Sequence, residues 1–425
     1  YIMTDQQCAE AFSAAGCPDV RTPAMDRIAR AGVRFTEAYC SNPLCVPART
    51  SMMTGLLPQQ NGVTYNNLKL PVKASTMMGR VLADAGYETA YFGKWHVPVL
   101  PKEKERHGFA TMAHTAANGV DAQVPDASIE FLRRTHSKPF LLVSSFVNPH
   151  DICEWARGTA GKDGPMVEPP PPDRCPALPA NFASPEQEPE VIRRVQALDN
   201  SAYPTRAWQP DKWRQYRHAY YRLIERVDSH IGRILDTLEE TGLARSTVIV
   251  FASDHGDGNA AHHWNQKQVL YEETARVPFL VAFPGHTKGG TIDRRHLVSS
   301  CIDLIPTFCD YAGVPTPDGL PGLSLRPLAE GRKPRQWRQE LVTQTEFCTF
   351  NKSYGVHGRL LRMGDWKYVV YSEGSNREQL FDVVKDRGEM NNLAGQGSHR
   401  RQLAACRERL AAVCRKYTDD FPLVS

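Results

Sequence analysis

The chain has 425 residues, 51 Lys and Arg against 47 Asp and Glu (formal charge +4), with 41% hydrophobic and 23% charged residues. That length can bury one large core and carry a smaller domain beside it. No apolar run approaches the roughly 20 residues of a membrane-crossing helix, and no Lys/Arg-rich tract with interleaved aromatics marks a nucleic-acid surface, so neither membrane insertion nor nucleic-acid binding is expected.

Residues 1–3 are apolar and look like the end of a strand rather than a natural start, which places any targeting peptide upstream. Thr22-Pro23 opens a helix with an N-cap residue and a first-turn proline, and Gly32 closes it. Pro47 opens another over residues 47–54, and residues 75–85 form a third, stopped by Gly86. Short apolar runs at 89–92, 140–146, 247–252 and 278–283 are further strand candidates. The longest helix spans about 214–241, with Tyr220, Leu223, Ile224, Val227, Ile231, Ile234, Leu235 and Leu238 on one stripe and Gly242 at its end. Strands alternating with amphipathic helices predict an α/β fold with a large, mostly parallel (mixed) sheet sandwiched by helices. Residues 151–212 contain the proline run 169–172 and little periodicity, so they are expected to form an irregular insertion near the active site. A polar, basic stretch near 332–338 divides a catalytic α/β domain, 1–335, from a small C-terminal α+β subdomain, 336–425. Four short antiparallel strands (341–346, 359–363, 367–371 and 379–381) and a helix at 400–417 are expected in the latter.

Eleven cysteines are an odd number and too few for a disulfide scaffold. Cys301 and Cys309, like Cys406 and Cys414, lie eight apart on expected helices, about 12 Å, which is beyond disulfide reach. Cys8 and Cys17 are free to pair on spacing alone, and the redox compartment stays open.

Polar residues gather where the strands end. Asp5 and Gln6 follow the first, Lys94 and His96 the second, His150 the third, and Asp254 and His255 the fourth. Open parallel sheets bind ligands beyond the carboxyl ends of their strands. Asp5, Gln6, Asp254 and His255 offer oxygen and imidazole donors suited to a divalent cation; taken singly, each is also an ordinary turn or cap residue. Lys94 and His96, two apart on an extended segment, share a side. Cys45 precedes the expected helix, with Arg49 one turn further on. A free thiol is most often a small buried hydrophobe, but a helix start lowers a thiol pKa and attracts anions. Lys267, His262 and His263 have surface or loop alternatives.

Taken together these residues resemble the sulfatase family of the alkaline-phosphatase-like superfamily. The resemblance rests on Met3-Thr4-Asp5-Gln6-Gln7, on Asn42-Pro43-Leu44-Cys45-Val46-Pro47-Ala48-Arg49 with Thr50-Ser51-Met52-Met53-Thr54-Gly55, on Gly93-Lys94-Trp95-His96 and on Ser253-Asp254-His255-Gly256. Lys267, Tyr271-Glu272-Glu273, Arg276-Val277-Pro278, Gly364-Asp365-Trp366-Lys367-Tyr368 and Gln379-Leu380-Phe381-Asp382 continue it in order. It implies that a maturation enzyme oxidises Cys45 to formylglycine, an aldehyde hydrated to a geminal diol. One diol oxygen then attacks sulfur, the alcohol leaves, and the second hydroxyl loses its proton and expels sulfate. Cys45 would be the nucleophile and, with Asp5, Gln6, Asp254 and His255, part of the metal set. Arg49 would orient the diol, Lys94 and Lys267 would neutralise sulfate oxygens, and His96 would assist deprotonation. His150 would protonate the leaving oxygen, and His262 would contact substrate. Trp155 and Arg157, with Asp151 and Glu154, are expected to line the cleft for a sulfated carbohydrate, Trp155 having core packing as its alternative.

Two positions depart from the commonest family pattern. Gln6 stands where many members have a second aspartate, and His255 where many have asparagine. Calcium is the first expectation for the metal and manganese the alternative, because the Asp-Gln-Asp-His set also resembles formylglycine phosphonate monoester hydrolases. A phosphonate monoester or phosphodiester hydrolase is therefore the competing enzyme, and a non-catalytic binding protein the third possibility. The family also leads one to expect a periplasmic or secreted location.

Overall fold

Residues Phe140–Pro149 read Phe-Leu-Leu-Val-Ser-Ser-Phe-Val-Asn-Pro and are buried after the first position, as a strand covered on both faces requires. It belongs to an eight-stranded sheet of a computed structural model that describes residues 1–74, 76–198, 204–349 and 351–423. Across the sheet the order is Thr111–Ala113, Glu88–Gly93, Phe140–Pro149, Ile2–Asp5, Ile249–Ser253, Phe279–Ala282, Val33–Phe35 and Thr291–Asp293. The first five run parallel, and Phe279–Ala282 is antiparallel to both its neighbours. The sheet is thus mixed and mostly parallel, as expected.

Side-chain alternation sorts each strand between two cores. Ile2, Ala90, Phe92, Leu142 and Phe251 face one core with Pro23–Ala31, Gln123–Leu132 and Pro210–Glu240. Met3, Tyr91, Val143, Val250 and Ala252 face the other, with Cys45–Thr54, Met78–Asp84 and Leu304–Ala312. The four inner strands of the parallel set therefore have helices on both sides.

Several boundaries differ from expectation. The helix expected at 47–54 starts at Cys45, so Cys45 is its first residue and not its approach. The long helix starts at Pro210, inside the stretch expected to be irregular, because proline is favourable in a first turn. The rest of that stretch has short helices at Ile152–Arg157 and Glu190–Ala197. The helix expected from Ser75 runs over Met78–Asp84, and Ser75 itself lies outside the described residues. Thr22 does not cap the helix after it; Asp228 of the long helix accepts from Ala24 N (3.0 Å) and Met25 N (2.8 Å) instead. Cys8 and Cys17 are both free thiols.

The C-terminal sheet is antiparallel, in the order Glu340–Thr349, Lys352–Met363, Trp366–Tyr371 and Glu378–Asp382, with Arg400–Lys416 packed on it. Its seam with the main body holds charge in the dark of the core. Lys367 Nζ lies 2.6 Å from Glu389 Oε1 and 3.1 Å from Glu272 Oε1, all three residues being buried. Removing the ammonium takes from buried Glu389 its ion-pair partner, while Glu272 keeps Arg276 at 3.1 Å. Lys367→Met is therefore expected to cost about 3–5 kcal/mol, read from the urea midpoint.

Candidate active site

The sheet places the strand-end residues together. Gly93 makes this possible at one point: its φ is +100°, and a Cβ there would sit 1.9 Å from the Ser145 carbonyl. Only glycine lets the chain turn so close to the neighbouring strand and hand over to Lys94. The Lys94 carbonyl is then pinned by Tyr91 OH (2.6 Å), Arg49 Nη1 (2.7 Å) and Ser145 Oγ (2.8 Å), all donating to it.

Arg49 is the fully buried hub. It donates from Nε to Asp254 Oδ2 (2.7 Å), from Nη2 to Asp5 Oδ2 (2.9 Å) and from Nη1 to Ser145 Oγ (3.0 Å). Lys94 Nζ lies 2.8 Å from Asp5 Oδ2 at an ion-pair distance. Burial alone would raise the Asp5 carboxyl, but Lys94 and Arg49 hold it well below the usual carboxylate range. Asp254 is pushed up, by burial and by the charge of Asp5.

Cys45, 1% exposed, sits among these groups at the first turn of Cys45–Thr54. Asn66 Oδ1 accepts from Val46 N at 3.0 Å, so a residue from outside the helix satisfies part of its start. The thiol sulfur of Cys45 lies 3.2 Å from His255 Nε2, and Lys267 Nζ donates to it at 3.2 Å. Burial and Asp5 push this thiol up, but Lys267, Lys94 and His255 outweigh them and hold it well below the ordinary range. His96 and His150 also come within hydrogen-bonding influence of the sulfur, and burial lowers both, His150 to about 3. These two imidazoles are only partly buried, whereas the rest of the set is fully buried.

The donor chemistry fits a divalent cation. Ligand atoms of Asp5, Cys45, Asp254 and His255 all lie within 4.8 Å of one another. His255 Nδ1 donates to the Gly256 carbonyl at 2.9 Å, so Nε2 is the ring nitrogen that faces the cluster. Gly256 itself has no room for a side chain, since a Cβ would lie 1.9 Å from the Glu273 carbonyl. Gln6 borders the cluster: its Oε1 accepts from Lys267 Nζ at 2.6 Å.

The model of the family named Sulfatase matches residues 1–314, and that of the N-sulphoglucosamine sulphohydrolase C-terminal family matches residues 260–416. The chain belongs to the sulfatase family. It is 29% identical over 419 residues to a delta 4,5-hexuronate-2-O-sulfatase of Bacteroides thetaiotaomicron, covering 93% of this chain and 84% of that protein. Among solved structures it resembles a 2-O GAG sulfatase, with a TM-score of 0.86 at 28% identity over 99% of this chain and 92% of that one. The phosphonate monoester hydrolase of Agrobacterium radiobacter shares the fold, with a TM-score of 0.80 at 22% identity over 98% of this chain and 95% of that one. This protein is thus a hydrolase of sulfate esters, of a family that works with a metal and formylglycine.

Three residues expected to contact substrate in this sulfatase make contacts within the protein. His262 is 1% exposed, stacks on Tyr271 with ring centroids 3.8 Å apart, and faces Asn181 Nδ2 at 3.3 Å from Nε2. Burial lowers it to about 3. In this structure the ring packs against Tyr271 and not against Cys45. His262 groups instead with Glu273 and Glu389, beside the Lys367 ammonium that already supplies that cluster with a cation. Trp155, partly buried, packs edge-on to Trp208 (5.9 Å) and Tyr216 (6.0 Å), and Lys212 Nζ sits 4.1 Å over its ring. Arg157 pairs with Glu154 Oε1 at 2.9 Å.

Other groups escaped the sequence. Ser145 lies inside an apolar strand, and its only signal was a pair of serines near the strand's end. Asp257, fully buried, accepts from Gln6 Nε2 at 2.7 Å, and burial pushes it up to about 6. Its signal was a second carboxylate three residues after Asp254.

Proposed function

We propose that this sulfatase removes a sulfate group from a carbohydrate, with formylglycine at position 45 as the nucleophile. The carrying observation is the packing of Cys45 Sγ at 3.2 Å from both Lys267 Nζ and His255 Nε2. Cations and a metal-type imidazole around one small side chain at a helix start are what an attacking oxygen and an anionic ester need. A named relative acts on a 2-O-sulfated hexuronate, and that supports a sulfated sugar as the substrate class.

In this reading Asp5, Gln6, Asp254 and His255 hold the metal, with residue 45 beside them. Calcium is the first choice and manganese the alternative, since an imidazole and an amide replace two oxygen-rich positions. The metal, when bound, supplies Lewis-acid polarisation of the reacting oxygens. Arg49 keeps Asp5 and Asp254 aligned. Lys94 and Lys267 neutralise sulfate oxygens as charge grows. His96 and His150, the partly exposed members, stand where substrate enters. With both pKa values lowered they are neutral near pH 7, so His96 is ready to accept a proton. His150 serves the leaving oxygen by passing to it the proton that the attacking diol hydroxyl releases. We place the division between the catalytic domain and the C-terminal subdomain near residue 335, and the working location in the periplasm or outside the cell.

The test is mass spectrometry of the Cys45 peptide from a host with the maturation enzyme, followed by turnover of aryl sulfate, aryl phosphonate and phosphodiester. Formylglycine and preference for the sulfate are expected. Active protein with an unmodified thiol would overturn the mechanism, and preference for phosphorus esters would assign it to the alternative hydrolase.

A further inference from the structure

We propose that Asp257 is a positioning residue that fixes the side-chain amide of Gln6 and, through it, the metal and Lys267. The inference rests on the assignment of Gln6 to the metal set. A carboxylate presents oxygen whichever way it turns. An amide has two faces, and a half-turn of Gln6 would aim its NH2 group at cations. Something must choose the orientation.

The neighbours of Gln6 do so from both sides. Its Nε2 donates to Asp257 Oδ2 at 2.7 Å, while its Oε1 accepts from Lys267 Nζ at 2.6 Å. The remaining Nε2 neighbour is the sulfur of Cys153, 3.4 Å away. The backbone is held as well: Gln6 N donates to Asp254 Oδ1 (3.1 Å), and Tyr220 OH donates to Gln6 O (2.7 Å), at a φ of +72°.

Asp257 is itself immobilised by donors only. Tyr216 OH lies 2.9 Å from each of its oxygens, Asn259 N donates to Oδ1 (2.6 Å) and Gln266 N to Oδ2 (3.1 Å). Gln6, Tyr216 and Asp257 are all fully buried, so water does not replace any partner cheaply. Such outer partners of ligands commonly matter about 10–100-fold in metal affinity. Asp257 thus supplies, one residue removed from the site, the carboxylate that Gln6 lacks.

The experiment titrates Mn2+ and Ca2+ into the purified full chain by calorimetry, with chelator competition as a second readout. Asp257→Asn keeps the shape but meets converging donors with an NH2 group of its own. It is expected to weaken metal binding about 10–100-fold. Tyr216→Phe, the milder variant should Asp257→Asn fail to fold, is expected to weaken it about 2–10-fold. Gln6→Ala is expected to weaken binding by itself, and adding Asp257→Asn to it should change little further. Unchanged affinity in Asp257→Asn or, where that variant does not fold, in Tyr216→Phe would overturn the proposal, as would losses that simply multiply in the double variant. Unchanged affinity in Gln6→Ala would instead remove Gln6 from the metal set, and the proposal with it.

Discussion

Cys45→Ala is expected to bring sulfate-ester turnover down to the uncatalysed background while the protein stays folded. The substitution removes one sulfur and keeps the Cβ, in a helix whose start is tied by Asn66 Oδ1 to Val46 N at 3.0 Å. The packing loss is that of a single heavy atom, about 1 kcal/mol. It adds to the loss of the thiolate that Lys267, Lys94 and His255 favour, a further cost that falls short of unfolding the protein. The chemical loss is far larger, since among the described residues only the Cys45 side chain touches both Lys267 Nζ and His255 Nε2. Cys45→Ser makes a sharper contrast. A serine oxygen can attack sulfur once, but it has no second hydroxyl whose deprotonation expels sulfate. The serine variant is therefore expected to gain one sulfo group in mass and stop. Turnover rates, urea midpoints and intact mass read these outcomes. Steady turnover by the alanine variant would leave the mechanism without its nucleophile.

The parts of this site that were legible in the sequence are those fixed by local geometry. Asp5 ends a strand, Lys94 and Asp254 each follow one, and a parallel sheet brings such ends to one edge whatever the loops do. Arg49 was legible because four residues make one helical turn. The short strands Val33–Phe35, Thr111–Ala113 and Thr291–Asp293 were missed, because three residues cannot display a period of two. Asp257 was missed for a different reason: its partner Gln6 is 251 positions away, and no local pattern records that contact. His262 shows the converse case. Its place in the motif was read correctly in order, but order does not say which way a ring points. The backbone there is left-handed at φ +54°, and the ring turns into the core against Tyr271.

Lys267→Ala is expected to lower kcat/KM about 10²–10³-fold, the usual cost of one preorganised charge donor at a reacting oxyanion. Lys267 is buried, and its ammonium reaches Gln6 Oε1 at 2.6 Å and Cys45 Sγ at 3.2 Å, so it belongs to the reacting centre and not to the rim. Burial lowers its pKa, but Cys45, Cys153, Asp5 and Asp254 more than reverse this, and it stays charged. Sulfate arrives already anionic, so some of the loss will fall on KM; charge that develops only in the transition state puts the larger share on kcat. Lys267→Arg is expected to restore little, since a planar guanidinium needs more width than a cavity lined by Gln6 and Cys45 leaves. Steady-state kinetics on an aryl sulfate separate these effects. A loss confined to KM would make Lys267 a binding residue only, and full rescue by arginine would show that charge alone, without placement, is what the site requires.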